Sequence, residues 1–269
     1  MADRLRIASW NVNSVRLRID GVERLAAERA PDVLCLQEVK VESRHFPVEP
    51  FHALGYRHSV LYGIKGYHGV AVFSRLPIEN GGTRDWCGRS DGRHVFATVA
   101  GIEIHNFYVP AGGDEPDPEI NDKFAHKLQF LQEMTGWWRD RRDDGARRVM
   151  VGDLNIAPLE TDVWSHRQLL KVVSHTPVEV EHLAAVQESH GWTDVVRRFI
   201  PPEQKLYSWW SDRARDWSAS DRGRRLDHIW ATPALSGALA GAEVLREARG
   251  WERPSDHAPV IADFDLSGL

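Results

Sequence analysis

Five segments of this chain join a short apolar run of β type to a carboxylate or carboxamide: Leu5–Asn11, Asp32–Glu38, Val149–Asn155, Arg225–Trp230 and Ser255–Val260. A strand hides its apolar side chains on its faces, so a polar group at its end sits at the sheet edge, partly desolvated and aimed by a rigid element. Glu38, Asp153, Asp227 and Asp256, gathered there with Asn11, Asn155 and His257, would make a site for a hard cation and a phosphate.

Each of these residues has chemistry open to it. Glu38 closes the run Val33-Leu34-Cys35-Leu36-Gln37, where a desolvated carboxylate is costly unless a cation balances it. Oxygen donors favour Mg²⁺ or Mn²⁺ over zinc, and Mg²⁺ needs only one or two protein carboxylates. The bland alternative is a surface acid paired with Lys40. In Gly152-Asp153-Leu154-Asn155 the two polar side chains fall two residues apart, on one side of a continuing strand. One could orient or deprotonate water while the other holds a phosphate oxygen. His257 cannot face its neighbour Asp256 within one strand, so its orienting carboxylate is expected from elsewhere, and Asp227 is the evident donor. Taken singly, a Gly-Asp-x-Asn turn or a lone histidine is more often structural; the five segments together shift that balance.

These groups need elements to hold them. A strand to Trp10 leads through a polar turn to a helix with the stripe Ile19, Val22, Leu25 and Ala26. Strands are expected at 33–38 and 66–73, a hairpin over 95–109 turning at Ala100-Gly101, and a long helix over 119–141 with Ile120, Phe124, Leu128, Leu131, Met134 and Trp138 on one face. Beyond it come a strand at 148–152, a mixed helical region over 160–200, and strands near 225–231, 242–246 and 258–265. Many strands, interspersed helices and no glycine-rich dinucleotide fingerprint point to an α/β sandwich of two mixed sheets with helices outside.

The totals bound the answer. At 269 residues and 42% apolar, a chain of this size hides roughly 75% of its unfolded surface. No linker, repeat or low-complexity tract divides it, so one domain over 1–269 is expected. The charged start and the absence of a long apolar run lead to the expectation of a soluble, cytoplasmic, monomeric protein. Cys35 and Cys87 cannot make a cysteine zinc site by themselves. A formal charge of −5 argues weakly against a nucleic-acid partner, but 34 Lys and Arg residues leave material for local positive patches. Of the doubled tryptophans, Trp137-Trp138 fits helix packing, whereas Trp209-Trp210, before a loop rich in Arg, Asp and Ser, is open to stacking or wedging as much as to packing.

Trp10-Asn11-Val12-Asn13-Ser14-Val15-Arg16, Leu36-Gln37-Glu38-Val39-Lys40, Gly152-Asp153-Leu154-Asn155-Ile156-Ala157-Pro158, Arg224-Arg225-Leu226-Asp227-His228-Ile229 and Ser255-Asp256-His257-Ala258-Pro259-Val260 resemble the successive signatures of the exonuclease III class of abasic-site (AP) DNA endonucleases. They occur in that family's order across nearly the whole chain. The resemblance implies a four-layer αββα fold and Mg²⁺-dependent hydrolysis of the phosphodiester 5′ to an abasic deoxyribose, with 3′→5′ exonuclease or 3′-end-cleaning activity beside it. By position it makes Glu38 the main metal ligand, with Asn11 shaping the metal and phosphate site and Asp256 near the metal. Asp153 would orient or deprotonate the attacking water, Asn155 and Tyr108 would contact the scissile phosphate, and Asp227 would support His257; either Asp153 or His257 is open as the base. Duplex DNA with abasic sites or blocked 3′ ends would be gripped by Arg16, Tyr67, His68, Lys123, Lys127 and Trp209.

The chain departs from the family pattern in two loops. Ala111-Gly112-Gly113-Asp114-Glu115-Pro116-Asp117 is acidic where some relatives carry basic or amide groups, and Asp221 and Arg224 stand where Asn and an aromatic or aliphatic residue are usual. A phosphatase or sphingomyelinase of the same superfold would keep Glu38, Asp153 and His257 and change the substrate loops. A nonspecific DNase and a non-catalytic nucleic-acid-binding domain are the other readings.

Overall fold

The structure is a computed structural model that describes residues 3–142 and 144–269. Its strands are β1 (Arg4–Asn11), β2 (Val33–Gln37), β3 (His58–Tyr62), β4 (Val70–Ser74), β5 (Ile78–Thr83), β6 (His94–Val99), β7 (Ile102–Tyr108), β8 (Arg148–Asp153), β9 (Thr193–Asp194), β10 (Trp209–Trp210), β11 (Gly223–Arg224), β12 (Asp227–Ala231), β13 (Leu239–Val244) and β14 (Val260–Asp265). Two six-stranded mixed sheets form, ordered β13-β14-β1-β2-β4-β3 and β5-β6-β7-β8-β12-β9, with β10 and β11 as a separate ribbon. Of the helices, α1 (Ile19–Arg29) and α2 (Val48–Ala53) cover the first sheet, whereas α3 (Asp122–Arg139) and α4 (Pro177–His190) cover the second.

Strand alternation sorts the side chains into these layers. In β1 and β2, Leu5, Ile7, Val33 and Cys35 point between the sheets and meet Ile104, Val149, Val151 and Ile229 of the second sheet. The intervening Ala8, Trp10, Leu34 and Leu36 face Val22, Leu25 and Phe51 of the outer helices. On the far side Phe107, Met150 and Trp230 pack on Phe130, Leu131, Met134, Trp138 and Leu183.

Followed toward one end of the sandwich, the inward-facing positions change character. After Ile7 come Ser9 and Asn11; after Cys35, Gln37; after Ile104, Asn106 and Tyr108; after Val151, Asp153. Gln37 Nε2 donates to Asn106 Oδ1 (2.7 Å) and Ser9 Oγ (3.1 Å), and Asn106 Nδ2 donates to the Leu36 and Ala71 carbonyls. This buried amide layer joins the two sheets and separates the apolar core from the acids beyond it.

The long helix differs from expectation in a way that matters. It starts at Asp122, capped by Asn121 accepting from the Lys123 amide, and Ile120 lies outside it, 74% exposed. The buried face takes in Lys127, three residues after Phe124 and four before Leu131.

Candidate active site

The registers bring the acid-tipped ends to one edge. Asn11 is paired with Gln37 at the ends of parallel β1 and β2, Tyr108 with Asp153 at the ends of β7 and β8, and Asp153 with Asp227 where antiparallel β12 begins. Asp256 and His257 precede β14, whose antiparallel pairing with β1 delivers them beside Asn11. Trp10 Nε1 donates to the His257 carbonyl (2.9 Å), and the Ser255 hydroxyl to the Asn11 carbonyl (2.6 Å).

Gly152 is the residue this convergence requires. Its φ of +141° is foreign to L side chains, and a Cβ there would overlap the Phe107 carbonyl of the neighbouring strand. The strand then ends at Asp153, so Asn155 does not reach the site by strand continuation. It adopts a left-handed backbone (φ +55°) and folds back, its amide N–H donating to Asp153 Oδ1 at 2.9 Å. Its Nδ2 donates to the Val109 carbonyl (2.9 Å) and, at a longer 3.2 Å, to Asp153 Oδ2.

Asn11 spans the two sheets, with Nδ2 donating to Glu38 Oε1 and to Asp153 Oδ2, both at 2.9 Å. Its Oδ1 accepts the Asn13 backbone N–H, which fixes the amide's orientation. Asn11, expected to shape the metal and phosphate site, turns its N–H₂ toward the two carboxylates and holds them as a donor. Glu38, at a left-handed φ of +50°, also accepts from Tyr108 Oη (2.8 Å) and pairs with Lys40 Nζ (2.8 Å). Burial disfavours its ionised form, but the bonds from Asn11, Lys40 and Tyr108 outweigh that and hold the carboxyl below its ordinary value. Burial, with the charges of Glu38 and Asp153, pushes the Tyr108 phenol well up, so it stays a donor.

His257 Nδ1 lies 2.8 Å from Asp227 Oδ2, the carboxylate expected for it, and Nε2 faces Asp153 Oδ2 at 3.6 Å, too long for a hydrogen bond. Burial opposes the imidazolium, but the Asp227 and Asp153 charges raise it to about 10. Burial likewise lifts Asp153 to about 7; the His257 charge opposes that rise and the Asp227 charge adds to it. Asp153, Asp227 and His257 each bring one ligand atom within 4.8 Å of the others, a spacing that could hold an ion. Glu38 stands apart from these three, half-buried on the same cleft with Asn11 and Tyr108 on Oε1 and Lys40 on Oε2.

Around these groups opens a cleft of about 520 Å³ lined by Glu38, Tyr108, Asn155, Trp209, Asp256 and His257, and farther out by Ser174, Arg213 and Arg224. Trp209, bridged to His257 on one side and paired with Arg224 on the other, donates from Nε1 to Asp256 Oδ2 (2.9 Å). Arg16 and Tyr67 are exposed, Tyr67 at 71%, and Lys123 is exposed at the start of α3. His68 is engaged within the protein, its Nε2 3.1 Å from Arg93 Nη2, so in that turn Tyr67 is the side chain presented to solvent. Lys127 is a correction. It is fully buried against Glu179 and cannot touch a duplex, because its place on the helix is on the core face.

Some supporting residues carried a weak signal or none. Asn13 sits two residues after Asn11; its Nδ2 donates to Asp256 Oδ1 (3.0 Å) and its Oδ1 accepts from Lys40 (2.5 Å). Ser208, which nothing in its sequence context marks, donates to Asp227 Oδ2 (2.6 Å) while accepting the Leu226 and Asp227 amides. Arg44 and Lys65 join Arg16 and Lys40 around a second, basic hollow.

Two packed sheets with a carboxylate-held histidine, a perturbed aspartate and a separate glutamate at one edge define a phosphoester hydrolase of the αββα kind. The chain belongs to the Endonuclease/Exonuclease/phosphatase family, whose profile matches residues 8–257. It is 27% identical over 275 residues to an exodeoxyribonuclease III of Haemophilus influenzae, covering 97% of this chain and all of that one. In structure it is similar to an AP endonuclease from Archaeoglobus fulgidus (TM-score 0.89, 35% identity, 97% of this chain and 99% of that one). It is equally similar to a Neisseria 3′ phosphatase bound to product DNA hairpin (TM-score 0.89, 33% identity, the same coverages). Within the family it is an enzyme of the AP endonuclease and exodeoxyribonuclease III type. Among the described residues no helix is long and apolar enough to cross a membrane.

Proposed function

We propose that this chain is a DNA-repair phosphodiesterase that hydrolyses the phosphodiester 5′ to an abasic site in duplex DNA. The observation carrying this reading is the Asp227–His257 pair facing Asp153 across 3.6 Å, with Glu38 on the same cleft. Nε2 and Asp153 Oδ2 leave no room for an atom between them, but a substrate oxygen or water seated beside the pair would reach both. Asp153, ionised, would hold the attacking water and take its proton, with Asn11 and Asn155 keeping its carboxylate fixed. His257, protonated, would donate from Nε2 to a phosphate oxygen, and the 3.2 Å bond of Asn155 is the one a second phosphate oxygen would take over. Tyr108 lies beside Glu38 to contact the same phosphate.

The all-oxygen donors at Glu38 and Asp256 fit Mg²⁺, or Mn²⁺ in its place, and the Lys40 ammonium 2.8 Å from Glu38 marks that position as one that positive charge balances. A bound ion would supply neutralisation of the charge that develops on the phosphate. Arg16, Lys40, Arg44 and Lys65 would track the backbone, each phosphate neutralised steepening the log–log salt dependence by about 0.9. An abasic nucleotide has lost its stacking, so moving it out of the duplex costs less than moving an intact one.

A second reading, 3′-end cleaning, is favoured by Arg224. Its guanidinium lies over the Trp209 ring, 5.4 Å from the centroid, and is fixed by the Val173 carbonyl (2.9 Å) and Ser174 Oγ (2.8 Å). It covers aromatic surface against which a baseless sugar would pack and offers a cation to a terminal phosphate, and the similarity to the Neisseria 3′ phosphatase supports the same direction.

The test is cleavage of a duplex bearing one tetrahydrofuran abasic analogue, with Mg²⁺ and with EDTA, beside an unmodified duplex and a nicked duplex ending in 3′-phosphate. A Mg²⁺-dependent nick 5′ to the analogue supports the first reading; release of phosphate alone supports the second. Equal cutting of unmodified duplex would make it a nonspecific nuclease, and three intact substrates would overturn the proposal.

A further inference from the structure

Beneath the cleft floor lies an ion pair to which the chemistry above gives no part. Lys127 of α3 and Glu179 of α4 are both fully buried, with Nζ 2.5 Å from Oε1. The remaining donors of the ammonium go to the Asn155 carbonyl (2.8 Å) and the Ala111 carbonyl (3.2 Å), so all three of its hydrogens are used. The glutamate accepts the Ser174 amide at both oxygens (2.9 Å each) and the Thr176 amide and hydroxyl at Oε2 (3.1 and 2.7 Å).

The three backbone segments so gathered, at Ala111, Asn155 and Ser174, are all segments that line the cleft. Asn155 has the most to gain from being held. Its left-handed backbone is one that a non-glycine residue keeps only where the surroundings enforce it, and its amide group and N–H both secure Asp153. Ser174 in turn carries Arg224 on its hydroxyl. A buried ion pair is not in general a source of stability, since well-packed apolar groups can often replace it without loss. Here both members spend their hydrogen bonds on the walls of one cleft.

We propose that Lys127 and Glu179 are positioning residues for catalysis: their pair clamps the Asn155 turn to the two flanking walls and so fixes the geometry of Asp153 and of the phosphate subsite. Neither residue touches substrate. The inference rests on the hydrolase reading and deepens it.

The test uses the full-length chain on the tetrahydrofuran and 3′-phosphate duplexes with Mg²⁺, comparing Lys127→Met, Glu179→Gln and the double variant Lys127→Met/Glu179→Met. Folded fraction is taken from thermal unfolding, and turnover and KM are referred to folded protein. Glu179→Gln keeps the shape and one acceptor, so it provides a folded variant should Lys127→Met unfold. Each folded variant is expected to turn over about 10-fold more slowly or worse, with KM moved by less than about 3-fold. The double variant is expected to regain thermal stability over Lys127→Met without regaining turnover. Wild-type turnover in folded Glu179→Gln or in the double variant would overturn the inference, because a merely structural pair alters the folded fraction and leaves the rate per folded molecule alone. Inactivity of the wild-type chain on both duplexes would instead overturn the hydrolase reading, so the two failures are told apart.

Discussion

The same four strands, β1, β2, β7 and β8, build two unlike regions between the sheets. At one end Leu5, Ile7, Val33, Ile104, Val149 and Val151 close a dry core; at the other Ser9, Asn11, Gln37, Asn106, Tyr108 and Asp153 occupy the continuation of the same inward-facing positions. Backbone geometry and alternation are common to both, so only side-chain chemistry and distance from the cleft differ. In the dry region, burial stabilises through removal of apolar surface from water. In the polar region, burial is costly unless every group is bonded, and the cost appears as Asp153 lifted to about 7. A rigid apolar end thus holds a strained polar end in place, and the amide layer of Gln37 and Asn106 is the seam.

The contrast is tested most strongly at its polar end. Asp153→Asn or His257→Ala is expected to lower single-turnover cleavage by about 10³-fold, the scale of a lost general acid or base, with DNA binding and thermal stability close to wild type. Binding that falls in step with turnover, measured by fluorescence anisotropy, would mean these residues are structural. The dry end should answer in the opposite way. Ile229→Ala is expected to cost about 2–5 kcal/mol of stability in chemical denaturation, while cleavage per folded molecule stays at the wild-type value. At the seam, Gln37→Leu leaves the Asn106 carbonyl and the Ser9 hydroxyl without their partner, for about 1–3 kcal/mol; a neutral result would show that the amide layer does not join the two ends.

The smallest expected effect is a displacement along the pH axis. Protonation of Asp153 removes the base, so kcat/KM should rise with pH through about 7, and a cation added at Glu38 favours the anion and moves that limb lower. Loss of the proton from His257 removes the phosphate donor, so the rate should fall through about 10. Asp227→Asn takes away the largest influence raising His257, and its descending limb should move toward lower pH. A descending limb unmoved in that variant would separate His257 from the alkaline loss.

The acid-tipped strand ends were legible because a polar residue that interrupts β-type apolar alternation stands out locally, and the Asp227–His257 pairing followed once no nearer carboxylate could face the ring. Ser208 left no trace in the sequence, since serine is common and its bond to Asp227 spans 19 positions. The two lysines of α3 make the division plain. Lys123 and Lys127 share spacing and charge, and both were expected at the surface; the helix begins at Asp122, leaving Lys123 on its open first turn and turning Lys127 inward between Phe124 and Leu131. By itself, then, the sequence determined the two-sheet sandwich, the edge where the acids gather and the family of chemistry, because strand periodicity and end residues are local properties. Only the tertiary structure decided that Asn11 donates to the carboxylates and that Lys127 meets Glu179 beneath the cleft. A buried amide or ammonium takes its role from whichever groups arrive beside it, and here the nearest of those carboxylates lies 27 positions away from Asn11 and 52 from Lys127.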